Sequence, residues 1–204
     1  MKYPFLCLLA LLATVDGQAQ TQISVRPARS PEAIVASHCS RCHGPDGRSS
    51  TELFPKLASQ NPEYIVKQLF NFKTGQRRST VMEEVANSLT TEEINSLAQY
   101  FSLQPVRPDK ASNPALVKAG RQLYFHGNPR RGITPCVTCH GETATGAAVL
   151  PRLAGQHASY LAAQIRHFIK RSRTNDSTVM HTVVNQMTEV EIRSVAEYLS
   201  TVEP

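Results

Sequence analysis

Apolar residues recur at spacings of three and four along most of the chain, and no run of alternating apolar and polar residues interrupts them. This periodicity is typical of helices with one buried face and predicts an all-α fold class. Two segments, one in each half, show the pattern in closely similar form. They carry Tyr64, Ile65, Gln68, Leu69 and Phe72 in the first half and Tyr160, Leu161, Gln164, Ile165 and Phe168 in the second.

Capping residues mark where several helices begin. Ser30 followed by Pro31 predicts the N-cap and first turn of a helix that leads to Cys39. The last helix of each half opens with a capping box, Thr90–Glu93 in one and Thr188–Glu191 in the other. An apolar face follows each box, formed by Ile94, Leu97, Ala98 and Phe101 and by Ile192, Val195, Ala196 and Leu199.

The second half of the chain repeats the first. A shift of 96 to 98 residues places Cys39–Gly44 on Cys136–Gly141 and Pro55–Gln60 on Pro151–Gln156. The prolines and polar residues of 105–114 suit an extended linker between the two copies. We therefore predict an N-terminal domain at 20–104 and a C-terminal domain at 115–204.

The N-terminus has the pattern of a signal peptide for export. An apolar run from Phe5 to Val15 ends near the small residues Gly17 and Ala19, which predicts cleavage after Ala19 and removal of residues 1–19. The alternative is a membrane anchor, but a spanning helix needs roughly 20 apolar residues. We therefore expect an exported, periplasmic protein.

Two short cysteine motifs carry the candidate chemistry. Cys7 leaves with the signal peptide, and the other four cysteines lie in two Cys-x-x-Cys-His runs, so none remains for a structural disulfide. In such a run the two thiols bond a haem and the adjacent histidine ligates its iron. We therefore predict two covalently bound haem c groups. The attachment residues are Cys39, Cys42, Cys136 and Cys139, and the histidine ligands are His43 and His140.

Zinc binding and dithiol chemistry fit these motifs less well. A zinc site needs four converging ligands, whereas the two runs lie 97 residues apart in separate repeats. A thioredoxin-like dithiol is expected in a βαβ context, which the helical periodicity does not support. A haem would also provide the apolar centre that a domain of about 80 residues needs.

Methionine is the candidate for the second axial position of each iron. After removal of the signal peptide three methionines remain, and Met82 and Met180 occupy equivalent places in the two repeats. We expect both to lie in loops and to ligate iron, although methionine more commonly fills space in a core. Met187 matches Leu89, directly before a capping box, and is therefore predicted to be a core contact.

Two further features surround these candidate ligands. Pro55 and Pro151 follow the motif histidines, and the proline carbonyl groups are expected to accept a hydrogen bond from the histidine rings. Basic residues precede each methionine and are expected to tune the haems or steer partners, unless they are simply solvated. These residues are Lys73, Arg77, Arg78, Lys170, Arg171 and Arg173.

At these motifs the chain resembles the diheme cytochrome c4 family. The matching features are Pro-Lys-Leu-Ala-Ser-Gln and Pro-Arg-Leu-Ala-Gly-Gln, a Tyr-x-x-x-Gln helix, a basic segment and then the methionine. The resemblance implies two tandem class I cytochrome c domains that face each other across a pseudo-twofold axis, each with a His/Met-ligated haem. It also implies a periplasmic carrier, often associated peripherally with the membrane, that feeds a terminal oxidase.

Electron transfer is the function that these features favour, and not enzymatic turnover. The expected partners are redox proteins such as a terminal oxidase, a quinol-oxidising complex or a dehydrogenase. The alternatives are a cytochrome subunit of a dehydrogenase such as a flavoprotein sulfide dehydrogenase, a diheme peroxidase, which needs an open iron position, and a purely structural helical pair. The net charge of +6 does not indicate nucleic-acid binding, because basic residues do not cluster among aromatic ones.

Overall fold

The computed structural model describes residues 26–204, so the predicted signal peptide at 1–19 and the cleavage site lie outside the described residues. The described part of the chain is helical, and the two β-bridges in it are isolated ones. The all-α fold class is therefore confirmed. The helices of the first half are α1 (Pro31–Ile34), a π-helical segment (Val35–Cys39), α2 (Ser40–His43), α3 (Pro62–Lys73), α4 (Thr80–Asn87) and α5 (Thr91–Ser102). Those of the second are α6 (Pro114–His126), a 3₁₀ turn (Pro129–Arg131), α7 (Val137–His140), α8 (Ala158–Ile169), α9 (Val179–Val184) and α10 (Glu189–Thr201).

The predicted helix starts are confirmed. Ser30 accepts a hydrogen bond from the Ala33 amide, with Pro31 in the first turn of α1. Thr90 and Thr188 are N-caps, and both capping boxes have their two reciprocal hydrogen bonds. These contacts satisfy amide groups that have no partner within the helix.

Each half has its own hydrophobic core. The first is built on α1, α3 and α5 and the second on α6, α8 and α10. All eight residues of the predicted apolar faces of α5 and α10 are buried. Met187 packs against the second core and Leu89 is buried in the first, which confirms that this position is a core contact.

The two halves differ in their opening helices. In the first half α1 continues through the π-helical segment directly into the cysteine motif, whereas in the second α6 ends ten residues before Cys136. Helix α6 can lie against α10 because Gly120 has no side chain. A Cβ at this position would stand 1.9 Å from the Ser194 carbonyl oxygen. The π-helical segment of the first half, which leads to Cys39, is of a rare kind that often occurs at functional sites.

The segment between the halves is irregular, and both halves hold it in place. The Asp109 amide donates to the Ser200 carbonyl at 2.9 Å, and the ammonium group of Lys56 lies 2.6 Å from the Asp109 carboxylate. Pro114, at the end of the predicted linker, is the first residue of α6. None of the helices within residues 26–204 is long and apolar enough to cross a membrane.

Candidate functional site

The first cysteine motif forms a compact helical unit. Cys39 and Cys42 are free thiols on successive turns, and Gly44, with φ of 77°, ends the helix directly after His43. Burial raises the pKa of Cys39 to about 11. The His43 ring is buried, and its Nδ1 donates to the Pro55 carbonyl oxygen at 2.9 Å. Burial lowers the pKa of His43, so the ring is neutral and its Nε2 carries the lone pair that a metal ligand requires.

The second motif repeats this arrangement. Helix α7 carries Cys139 and His140, with Cys136 at its N-cap, and both thiols are free. Burial raises the pKa of Cys136 to about 11 and lowers the pKa of His140. Nδ1 of His140 lies 3.3 Å from the Pro151 carbonyl oxygen. In both halves the predicted contact between histidine and proline carbonyl is therefore present.

The expectation that the two methionines lie in loops is wrong. Met82 lies in the first turn of α4, with its amide on the Ser79 hydroxyl at 3.4 Å, and Met180 lies in the first turn of α9, with its amide on the Asp176 carboxylate at 2.6 Å. Sequence periodicity missed these helices because each is short. Neither methionine belongs to a hydrophobic core, unlike Met187.

The side chains at both sites fit a haem. Each half supplies two free thiols, a buried neutral histidine and a half-buried methionine that the core does not use. Within residues 26–204 no group of three or more His, Cys, Asp or Glu side chains converges, which does not fit the zinc alternative. Several large apolar side chains within two residues of Pro55, Met82, Pro151 or Met180 in the sequence are exposed, as expected of side chains that a haem would cover. These residues are Leu53, Val81, Val149, Leu150 and Val179.

The basic residues before the methionines fall into two groups. Arg77 is half-buried and Arg173 is buried, so neither is the solvated surface charge that was the alternative, and their role in tuning the haems stays a prediction. Lys73 donates to three carbonyl groups at the end of α4. Arg78 and Arg171 are exposed, as expected of solvated charges.

Arg77 and Arg173 link the halves through glutamine and tyrosine. Arg77 donates to Tyr160 and Gln164 of the second half, both at 3.0 Å, and Arg173 donates to Tyr64 and Gln68 of the first half at 2.9 and 3.2 Å. Each guanidinium also lies over an aromatic ring of its own half. The repeat shift of 96 residues relates Arg77 to Arg173, and not to Arg171. This equivalence between Arg77 and Arg173 is the sequence signal that could have pointed to the network.

A third cation is buried at the same interface. Arg152 is 2 % exposed and donates to the carbonyl groups of Ala58 and Ser59 in the first half. Burial lowers the pKa of Arg152 to about 10. Gln60 and Gln156, which sequence reasoning also missed as functional candidates, reach across the interface beside it.

Comparison with known proteins agrees with this geometry. Residues 26–101 match the family described as cytochrome c oxidase, cbb3-type, subunit III, and residues 117–203 match the cytochrome c family. The chain is 40% identical to cytochrome c4 of Thiocapsa roseopersicina over 90% of this chain and 97% of that protein. It is 33% identical to the "thiosulfate dehydrogenase electron acceptor" of Stutzerimonas stutzeri strain A1501, over 98% of this chain and 94% of the relative.

A solved structure shows the same likeness in three dimensions. Reduced recombinant cytochrome c4 from Pseudomonas stutzeri superposes with a TM-score of 0.80 at 31% identity, covering 86% of this chain and all of that chain. Two cytochrome c domains imply two covalently bound haem c groups. The chain therefore belongs to the cytochrome c4 family of diheme electron-transfer proteins.

Proposed function

We propose that this protein is a periplasmic carrier that collects electrons from a dehydrogenase or a quinol-oxidising complex and delivers them to a terminal oxidase. Cys39 and Cys42 would attach the first haem and Cys136 and Cys139 the second. The axial ligand pairs would be His43 with Met82 and His140 with Met180. The observation that carries the proposal is the presence, in both halves, of a buried histidine tied to a proline carbonyl together with a methionine outside the core.

The chain's own residues hold these groups and limit what they can do. Haem iron supplies a reversible one-electron couple. If His43 and Met82 hold one iron and His140 and Met180 hold the other, no ligand position would remain for peroxide or another substrate. The interface contacts of Arg77, Arg173 and Arg152 keep the two halves in one fixed relation. The predicted domains at 20–104 and 115–204 would therefore act as a single two-electron unit.

A second candidate function has support from relatives that are named as electron acceptors of thiosulfate dehydrogenase. The protein named as the electron acceptor of thiosulfate dehydrogenase is similar to nearly the whole chain. This chain would then work as the dedicated acceptor of a periplasmic dehydrogenase.

Export after Ala19 and peripheral membrane association remain predictions. N-terminal sequencing of the exported protein tests the first, and cosedimentation with anionic vesicles tests the second.

Stopped-flow kinetics separate the two candidates. The reduced holoprotein is mixed with a haem–copper terminal oxidase, and the oxidised holoprotein is mixed with thiosulfate dehydrogenase and thiosulfate. A general carrier is oxidised rapidly by the oxidase and does not co-purify with the dehydrogenase. Stoichiometric co-purification with the dehydrogenase, together with no reaction with the oxidase, would contradict our first choice and favour the second.

A further inference from the structure

A row of hydrogen bonds connects the first motif histidine to the opposite half. Nδ1 of His43 donates to the Pro55 carbonyl oxygen at 2.9 Å. The N–H of that same peptide unit, which belongs to Lys56, donates to Oε1 of Gln156 at 2.8 Å. One peptide group therefore joins a histidine of the first half to a glutamine of the second. We call this row the first relay.

The second relay has the same form with the halves exchanged. Nδ1 of His140 lies 3.3 Å from the Pro151 carbonyl oxygen, and the N–H of that peptide unit, from Arg152, donates to Oε1 of Gln60 at 2.7 Å. Both halves of the repeat therefore have the same arrangement. The hydrogen bond from a backbone N–H to a glutamine of the opposite half therefore occurs twice at the interface, once in each direction.

Both glutamine amides have a fixed orientation. Gln156 and Gln60 are 3 and 5 % exposed. Nε2 of Gln156 donates to the Lys56 carbonyl at 2.9 Å, while its Oε1 also accepts from the His157 amide at 3.1 Å. Since Oε1 has only N–H partners and Nε2 has a carbonyl partner, exchanging the two atoms would break all three bonds. Gln60 is held in the same way.

We propose that Gln156 and Gln60 are positioning residues that set the ligand strength of the histidine in the opposite domain. An N–H that donates to a strong acceptor polarises its peptide group and makes the carbonyl at the other end a better acceptor. The carbonyl then draws more strongly on the histidine N–H, which makes the ring a more basic metal ligand. A more basic ligand favours ferric iron. This inference rests on the proposed function, because it takes His43 and His140 as iron ligands.

Glutamine-to-methionine variants of the holoprotein test the relays, because methionine conserves volume and removes the amide. Gln156→Met breaks the first relay and Gln60→Met the second. Asn61→Ala is the matched control, since it removes a side-chain amide that also donates across the interface, to the Thr145 and Leu150 carbonyls. The backbone amide of Asn61, which donates to Gln60, stays in this variant. The potential of each haem is measured by stepwise redox titration, with NMR signals of the haem methyl groups identifying which haem is reduced.

Each glutamine variant is expected to shift the potential of the haem in the opposite domain. Gln156→Met shifts the first-domain haem toward ferrous iron by about threefold and leaves the second unchanged, whereas Gln60→Met does the reverse. A threefold shift corresponds to about 28 mV for a one-electron couple. Asn61→Ala alters neither potential selectively. A shift of the haem in the mutated domain, an equal shift of both haems, or no shift in either variant would overturn the proposal.

Spectra of the wild-type protein test the proposed iron ligands separately from the relays. Two low-spin haems with the methionine–iron charge-transfer band support His/Met ligation before any variant is made. A wild type without that band contradicts the proposed ligands. A wild type with the band and glutamine variants without crossed shifts contradicts only the relays. Retention of both haems and of the band in each variant shows that it is folded.

Discussion

Replacing Arg173 with glutamine should weaken the contact between the two domains. Arg173 is 8 % exposed and donates across the interface to the Tyr64 hydroxyl at 2.9 Å and to Gln68 Oε1 at 3.2 Å. Hydrogen bonds to charged groups contribute about 1.5–3 kcal/mol each. The variant no longer incurs the free-energy cost of dehydrating the guanidinium, which offsets part of this loss. The net loss of interdomain stability should therefore be about 2–4 kcal/mol.

Urea unfolding of the holoprotein measures this loss. The wild type should unfold in one transition because the domains stabilise each other, and Arg173→Gln should lower the midpoint or separate the transition into two. Arg171→Gln is the matched control, since it removes the same charge from an exposed side chain two positions away. Identical unfolding curves for the two variants would refute the structural role given to Arg173.

Three further predictions follow from single residues. Met180→Ala should abolish the methionine–iron band of the second haem and lower its potential, whereas Met187→Leu should alter neither; the reverse pattern would show that the repeat alignment is out of register. Arg29 and Arg26 lower the pKa of Glu93, so its stabilisation is complete above the ordinary carboxyl pKa of 4.5 and is lost as pH falls below it. The stability difference between wild type and Glu93→Gln should therefore shrink in acid, measured by urea unfolding from pH 7 to 3, and a difference independent of pH would contradict this. Arg171→Gln should reduce the salt dependence of electron transfer to an acidic partner, measured by stopped flow, because exposed charges act through screened fields; an unchanged salt slope would show that Arg171 has no part in steering.

The sequence predicted the long helices and the motifs because local chemistry determines them. The capping boxes at Thr90 and Thr188 satisfy helix ends within four residues, and the apolar face of α5 follows directly from the spacing of its side chains. The cysteine motifs are equally local. Ligation by these residues follows from the motif and remains a proposal.

The interface could not be predicted in the same way. The inward position of Arg77 and Arg173 could not be predicted because a charged residue is rarely buried, and part of the contacts that favour it come from the other half. Gln60 and Gln156 lie in loops, where periodicity gives no signal. The helices that carry the two methionines, α4 and α9, were not predicted because both are short. In addition, the N-cap of α9, Thr178, is in the left-handed region, which no capping pattern predicts.

The central claim is that the chain carries two haems with both axial positions filled and transfers electrons without substrate chemistry at iron. Spectroelectrochemistry of the purified holoprotein, with carbon monoxide added to the reduced form, tests this directly. We expect two haems per chain, two reversible one-electron steps, a methionine–iron band in the oxidised protein and no carbon monoxide binding. Binding of carbon monoxide to either ferrous haem, or rapid turnover of peroxide, would contradict the account.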